Sequence, residues 1–169
     1  MKKIAVALVC VLLSLSVLIG GAAVVYQTAR NKTGSVVSKT VNRVNFTLTD
    51  TEQTFSPADG QYVAELQFTA SKTEPDFYAV MNNISLSGMG FENLEVIPTE
   101  DTAVPFSGAV LSAQDGECEE MTWLLRITFS AQSGTTLTPT LTIDYTSGVK
   151  AEAANRRLFE APLTFIIEE

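Results

Sequence analysis

Between Met121 and Phe129 every second residue is large and apolar: Met121, Trp123, Leu125, Ile127 and Phe129 alternate with Thr122, Leu124, Arg126 and Thr128. A period of two puts one set of side chains on one face of an extended strand and the rest on the other. It does not fit a helix, whose apolar positions recur every three to four residues. The same pattern returns in Leu137, Leu141, Ile143 and Tyr145, set among Thr136, Thr138, Thr140, Thr142 and Asp144. A threonine-rich outer face suits a sheet with one wet side. Pro139 cannot donate to a ladder, so this strand is expected at a sheet edge.

From Thr33 onward about eight such runs are separated by Gly, Pro, Asp and Ser turns. The first covers residues 36–49, with Val44, Phe46 and Leu48 on one face and a phase slip near Asn42 that reads as a bulge. The turn Ser56-Pro57-Ala58-Asp59-Gly60 leads into Tyr62, Ala64, Leu66, Phe68 and Ala70, and the pair of runs is expected to form a hairpin. Tyr78, Val80, Ile84 and Leu86 form a third apolar phase. Leu94 and Val96 precede Pro98, and a weaker segment lies around residues 104–111. Residues 150–159 have helical composition, and Leu163, Phe165 and Ile167 close the chain as a strand. The expected fold is all-β: a two-sheet antiparallel sandwich, immunoglobulin-like or jelly-roll, over residues 30–169.

Residues 4–26 contain no charge and follow Lys2 and Lys3. A helix of twenty-three residues reaches about 34 Å, enough to cross a bilayer core of about 30 Å. Residues 1–29 are therefore expected to be a transmembrane or signal helix, with Tyr26 at the far interface. Two outcomes follow: an uncleaved signal-anchor, single-pass with the C-terminal domain extracytoplasmic, or a secreted domain cut near Ala23. The length of the apolar run favours the anchor. Against the orientation, Arg30, Lys32, Lys39 and Arg43 follow the segment, so the positive-inside count does not favour an internal N-terminus.

The chain lacks histidine, which excludes Ser-His-Asp and Cys-His nucleophiles, His-ligated zinc and proximal-His haem. No cofactor is expected. Carboxylate chemistry and hard-cation binding remain open. Cys10 lies inside the apolar segment, and Cys118 is expected to be a free thiol. From Asn31 onward nineteen acids face eight bases, a net of −11 that repels nucleic acid.

The densest polar cluster is Asp115-Gly116-Glu117-Cys118-Glu119-Glu120, where Asp115, Glu117, Glu119 and Glu120 are candidate metal ligands. Their spacing does not match the Asp-x-Asp-x-Asp-Gly calcium loop. Paired carboxylates also serve glycoside hydrolysis, but Trp123, Tyr62, Tyr78 and Tyr145 all fall in the apolar phase of their strands, leaving no aromatic platform for a sugar. A Ser-Lys pair using Lys39, Lys72 or Lys150 is possible, with no spacing that selects a serine.

A basic start, an apolar segment with Gly20-Gly21 and a threonine-rich β domain together resemble camelysin-like exported matrix proteins. The resemblance covers arrangement only and implies a structural role. The reading is a membrane-anchored extracytoplasmic module without enzymatic activity, held in the membrane through residues 4–26 and binding a protein partner or building the envelope or matrix. The alternative is a sensor domain that takes a cation or small ligand in the loop 115–120.

Overall fold

The computed structural model describes residues 26–74, 77–88, 90–112, 120–149 and 155–169. All regular structure among them is β: β1 (Tyr26–Thr28), β2 (Asn31–Lys32), β3 (Val36–Val41), β4 (Val44–Thr49), β5 (Glu52–Phe55), β6 (Gln61–Lys72) and β7 (Tyr78–Ser87) come first. Then follow β8 (Phe91–Pro98), β9 (Val110–Ser112), β10 (Glu120–Phe129), β11 (Thr136–Leu137), β12 (Thr140–Gly148), β13 (Asn155–Pro162) and β14 (Thr164–Ile167). They make three sheets instead of the two expected. The largest runs β3-β4-β6-β10-β8 with β1 beside β6; the others run β11-β14-β5-β2 and β13-β12-β7-β9. Most pairings are antiparallel, but β1 with β6 and β14 with β5 are parallel.

Alternation does what the physics of a half-buried strand requires. Trp123, Leu125, Ile127 and Phe129 are buried on β10, as are Phe68, Leu66, Ala64 and Tyr62 opposite them on β6. The apolar face of the large sheet meets both smaller ones. Phe46 lies 4.9 Å from Tyr145 and 4.8 Å from Phe159 between ring centroids, while Phe129 lies 5.1 Å from Phe165 and 5.4 Å from Phe55. Edge-to-face and offset contacts of this kind add to the area the rings bury. Buried Gln53 donates its amide to the carbonyls of Asp50 (3.0 Å) and Glu65 (2.8 Å), tying β5 to the large sheet where the chain changes sheets.

Several local expectations are corrected. The slip near Asn42 is a complete turn: Asn42 and Arg43, with φ of +46° and +68°, join β3 to β4 as a two-residue hairpin. Two left-handed residues match the right-handed strand twist, which is why a two-residue loop closes cleanly there. The strands β4 and β6 do pair, but they are not a simple hairpin. Asp50, at φ +58°, directs the chain out into β5 and the second sheet before it returns. The turn back is sealed by the Tyr62 hydroxyl, which accepts from the Ala58 amide at 3.1 Å.

The run on β7 changes phase midway. Ala79 and Met81 are fully buried, and Val80 and Tyr78 are not. Asn82 is an extra residue opposite the step from Asp144 to Tyr145, and beyond it Ile84 and Leu86 take the inward side. The Asn82 amide donates to Thr146 Oγ1 at 2.9 Å and Asp144 Oδ1 at 3.3 Å, which stabilises the bulge.

Leu137 and Leu141 lie on different strands, because the chain passes between sheets at Thr138-Pro139. Pro139 is therefore not on an edge strand; β12 is flanked by β13 and β7, and the proline carbonyl accepts from the Leu163 amide at 2.8 Å. The weak segment 104–111 is strand only from Val110, and it is fixed earlier by the Trp123 indole, which donates to the Val104 carbonyl at 2.9 Å. From Asn155 the expected helix is strand β13, with Phe159 and Ala161 buried; residues 150–154 lie outside the described residues. The closing strand places Phe165 and Ile167 in the core as expected.

Of the segment 1–29 expected to be helical, residues 1–25 lie outside the described residues, and Tyr26–Thr28 are strand β1. Tyr26 opens β1, paired with Gln61, and its ring is about half exposed. No helix among the described residues is long and apolar enough to cross a membrane.

Candidate functional site

Strand β6 runs twelve residues from Gln61, beside β1, to Lys72, beside Val44. At about 3.3 Å per residue this separates the two ends of the large sheet by roughly 36 Å. At the end remote from β1 lie the 42–43 turn, the start of β7, the end of β12 and the start of β13, brought together by the pairs Val44–Lys72, Tyr78–Gly148 and Ser147–Asn155. The Asn42 amide donates to Ser147 Oγ at 2.9 Å, and the Tyr145 hydroxyl donates to the Val41 carbonyl at 2.7 Å. These two bonds join the hairpin tip to the third sheet.

An open cleft of about 260 Å³ sits at this end. Its chemistry arises from a change of residue type within an unchanged phase. On β12 the inward phase reads Leu141, Ile143, Tyr145 and then Ser147; on β13 the same phase runs from buried Ala161 and Phe159 to exposed Arg157 and Asn155. The apolar core thus gives way to a hydroxyl, a guanidinium and an amide. Phe77, nearly buried, forms part of the wall, and Val149 stands exposed beside it.

The two arginines differ in state. Arg43 pairs with Glu74 at 2.9 Å, and its guanidinium lies 5.7 Å from the Phe77 ring centroid. Its carbonyl accepts both the amide (2.9 Å) and the hydroxyl (3.0 Å) of Thr73, so this residue clasps the connection that follows β6. A left-handed arginine costs about 1–2 kcal/mol against glycine, and these bonds offset it. Arg157, by contrast, has no ion-pair partner among the described residues. Its neighbour Arg156 points to the other face and is held by Asp144 at 2.7 Å; that bond, with one from Asn82, keeps the Asp144 carboxyl below its ordinary range.

Burial raises the Tyr145 hydroxyl from its ordinary 10.0 to about 12, with the positive charge of Arg157 opposing. Between pH 10 and 12 the unfolded chain loses this proton while the folded chain keeps it, so stability falls as pH rises through that window. Tyr145→Phe is expected to cost about 1 kcal/mol at neutral pH, from the bond lost to Val41. It is also expected to lose about 1–2 kcal/mol less than the parent between pH 10 and 12. Denaturant titrations at pH 7, 10 and 11.5 check both signs.

Two other concavities are chemically quieter. On the outer face of the large sheet Arg126 lies between Glu65 (3.0 Å) and Glu95 (3.6 Å), beside Tyr26, and its charge is neutralised there. A seam between β7 and β8 is lined by Ile84, Leu86, Phe91 and Leu94.

Of the sequence-derived candidates, Asp115, Glu117 and Glu119 lie outside the described residues, as does Cys118. Glu120 is the exposed first residue of β10, opposite Ser71. Among the described residues no three His, Cys, Asp or Glu side chains come together as a metal site. Trp123, Tyr62 and Tyr145 are core residues as expected, whereas Tyr78 is only half-buried. The cleft is not legible from its residues taken singly. The signal was present as Ser147 and Arg157 standing in phases that are otherwise apolar. No family model matches the chain, and no curated protein matches it in sequence.

Proposed function

We propose that this chain is an exported β-sandwich module, tethered to a membrane through residues 4–26 and working without enzymatic activity as a binding or structural element of the cell surface. In this reading the six-stranded sheet is one layer and the two four-stranded sheets together are the other, joined by the Phe46 and Phe129 ring clusters. The observation that carries it is the uncharged stretch after Lys2-Lys3, long enough to span and ending where β1 begins. A tether there leaves no linker, so the module stands against the bilayer with the arginine cleft at its far end. Several further features support a non-enzymatic role. The chain has no imidazole, three of its largest aromatics are spent on the core, and a net domain charge of −11 favours solubility and basic partners over nucleic acid.

The test is fractionation of cells expressing the full chain, with mass spectrometry of its N-terminus. An intact start at Met1 or Lys2 in the membrane fraction is the expected result. A released protein beginning near Val24 would replace the tether with secretion, and a chain retained in the cytoplasm would overturn export altogether.

A further inference from the structure

We propose that the cleft formed by the 42–43 turn, β12 and β13 binds a small hydroxylated monocarboxylate, a hydroxy acid or sugar acid, with Arg157 as the carboxylate-binding group. This goes beyond the surface role above and does not depend on where the chain resides.

Charge selects the ligand class. The domain is strongly acidic, so two guanidiniums lining one cleft stand out against their surroundings. Glu74 pairs with Arg43, so among the described residues lining the cleft the net positive charge is that of one guanidinium, Arg157. One positive charge in a planar fork matches a carboxylate, which takes two parallel N–H···O bonds; a phosphate dianion would be left half compensated.

Position argues that Arg157 is kept for something other than folding. It is exposed, in line with buried Phe159 and Ala161 and paired opposite Tyr145. Its charge lowers the proton affinity of the Tyr145 hydroxyl beside it. Among the described residues it gains no ion pair in return.

Polarity and size set the rest of the ligand. Ser147 Oγ accepts from Asn42 and has no acceptor for its own hydrogen among the described residues, and Asn42 and Asn155 add polar lining to the same wall. These groups suit a hydroxylated body more than an aliphatic one. A volume of about 260 Å³ falls just below the roughly 300–1,000 Å³ of sites that enclose drug-sized molecules, and so fits a single small acid.

The experiment is thermal melting and calorimetric titration of the full chain in detergent with D-glucuronate and L-lactate, beside D-glucose and inorganic phosphate. At least one of the two carboxylates is expected to bind and to raise the melting temperature, with D-glucose silent and phosphate at least tenfold weaker. R157Q is expected to weaken that binding at least tenfold, in line with the loss of a charged hydrogen-bonded pair, while leaving the melting temperature of the unliganded chain within about 2 °C. R157K, which keeps the charge and loses the fork, is expected to fall between the two. No response to either carboxylate at tens of millimolar would overturn the proposal. So would phosphate binding as tightly, or R157Q binding as well as the parent.

Discussion

Met81→Asp is expected to abolish cooperative folding, whereas Val80→Asp, one residue earlier, is expected to cost only about 1 kcal/mol. The Met81 side chain is fully buried, and both its backbone groups are bonded to one neighbouring segment: its amide donates to the Ala109 carbonyl at 2.9 Å, and its carbonyl accepts from the Gly108 amide at 2.7 Å. An aspartate there forfeits about 2–3 kcal/mol of apolar burial and must also lose its hydration or take up a proton in the core, which costs several kcal/mol more. Against a total stability of about 5–15 kcal/mol, the sum is enough to unfold the chain. Val80 is only half-buried, and a carboxylate there can reach water. Urea titrations of the two variants decide the matter. If Val80→Asp proved the more damaging, the bulge at Asn82 would be misplaced and the phase of β7 reversed.

That pair of residues also shows why the sequence was readable in some places and not in others. Strand β10 is legible because its alternation runs unbroken from Met121 to Phe129, and Trp123, Leu125, Ile127 and Phe129 all face the core, with Leu124 alone among the apolar residues on the other face. On β7 Tyr78, Val80, Ile84 and Leu86 fall in one even-numbered phase by sequence, yet one extra residue at Asn82 flips the side. Strict periodicity cannot register an insertion that is stabilised by distant partners such as Thr146. Sheet membership was equally hidden. β5 and β11 are four and two residues long, too short to carry a period, and they join their sheet through partners more than a hundred residues away or through the chain terminus. The start of β13 falls within residues 150–159, whose composition is that of a helix. Its strand character comes from pairing with β12, which no local propensity encodes.

The cleft follows the same logic at the level of side chains. Ser147 and Arg157 are unremarkable singly, and a serine in a threonine-rich strand attracts no notice. They become informative only once Tyr145 and Phe159 are known to share their phase and to be buried, so that a polar continuation of an apolar row marks where the core ends and a concavity begins. The acidic run around Asp115 drew attention instead because composition is visible without a fold.

The largest single loss from a simple truncation is expected at Phe46. Its ring centroid lies 4.9 Å from Tyr145, 4.8 Å from Phe159 and 5.9 Å from Phe68, so one side chain on the six-stranded sheet bridges to two strands of the third sheet. Phe46→Ala removes the transfer energy of a buried ring and leaves a cavity that β4, paired on both sides by β3 and β6, has little freedom to close. The expected cost is about 3–5 kcal/mol. Phe91→Ala is the internal control. That residue lies on β8 at the edge of the large sheet, is only partly buried, and is expected to lose about half as much. The double variant Phe46→Leu, Phe159→Leu adds a measure of how the layers are joined. Rings in contact across a core are worth about 0.5–1.5 kcal/mol beyond the area they bury, so the two single losses should sum to more than the double loss by that amount. Strict additivity would mean that the two rings only fill space and that the sheets are held together by burial alone.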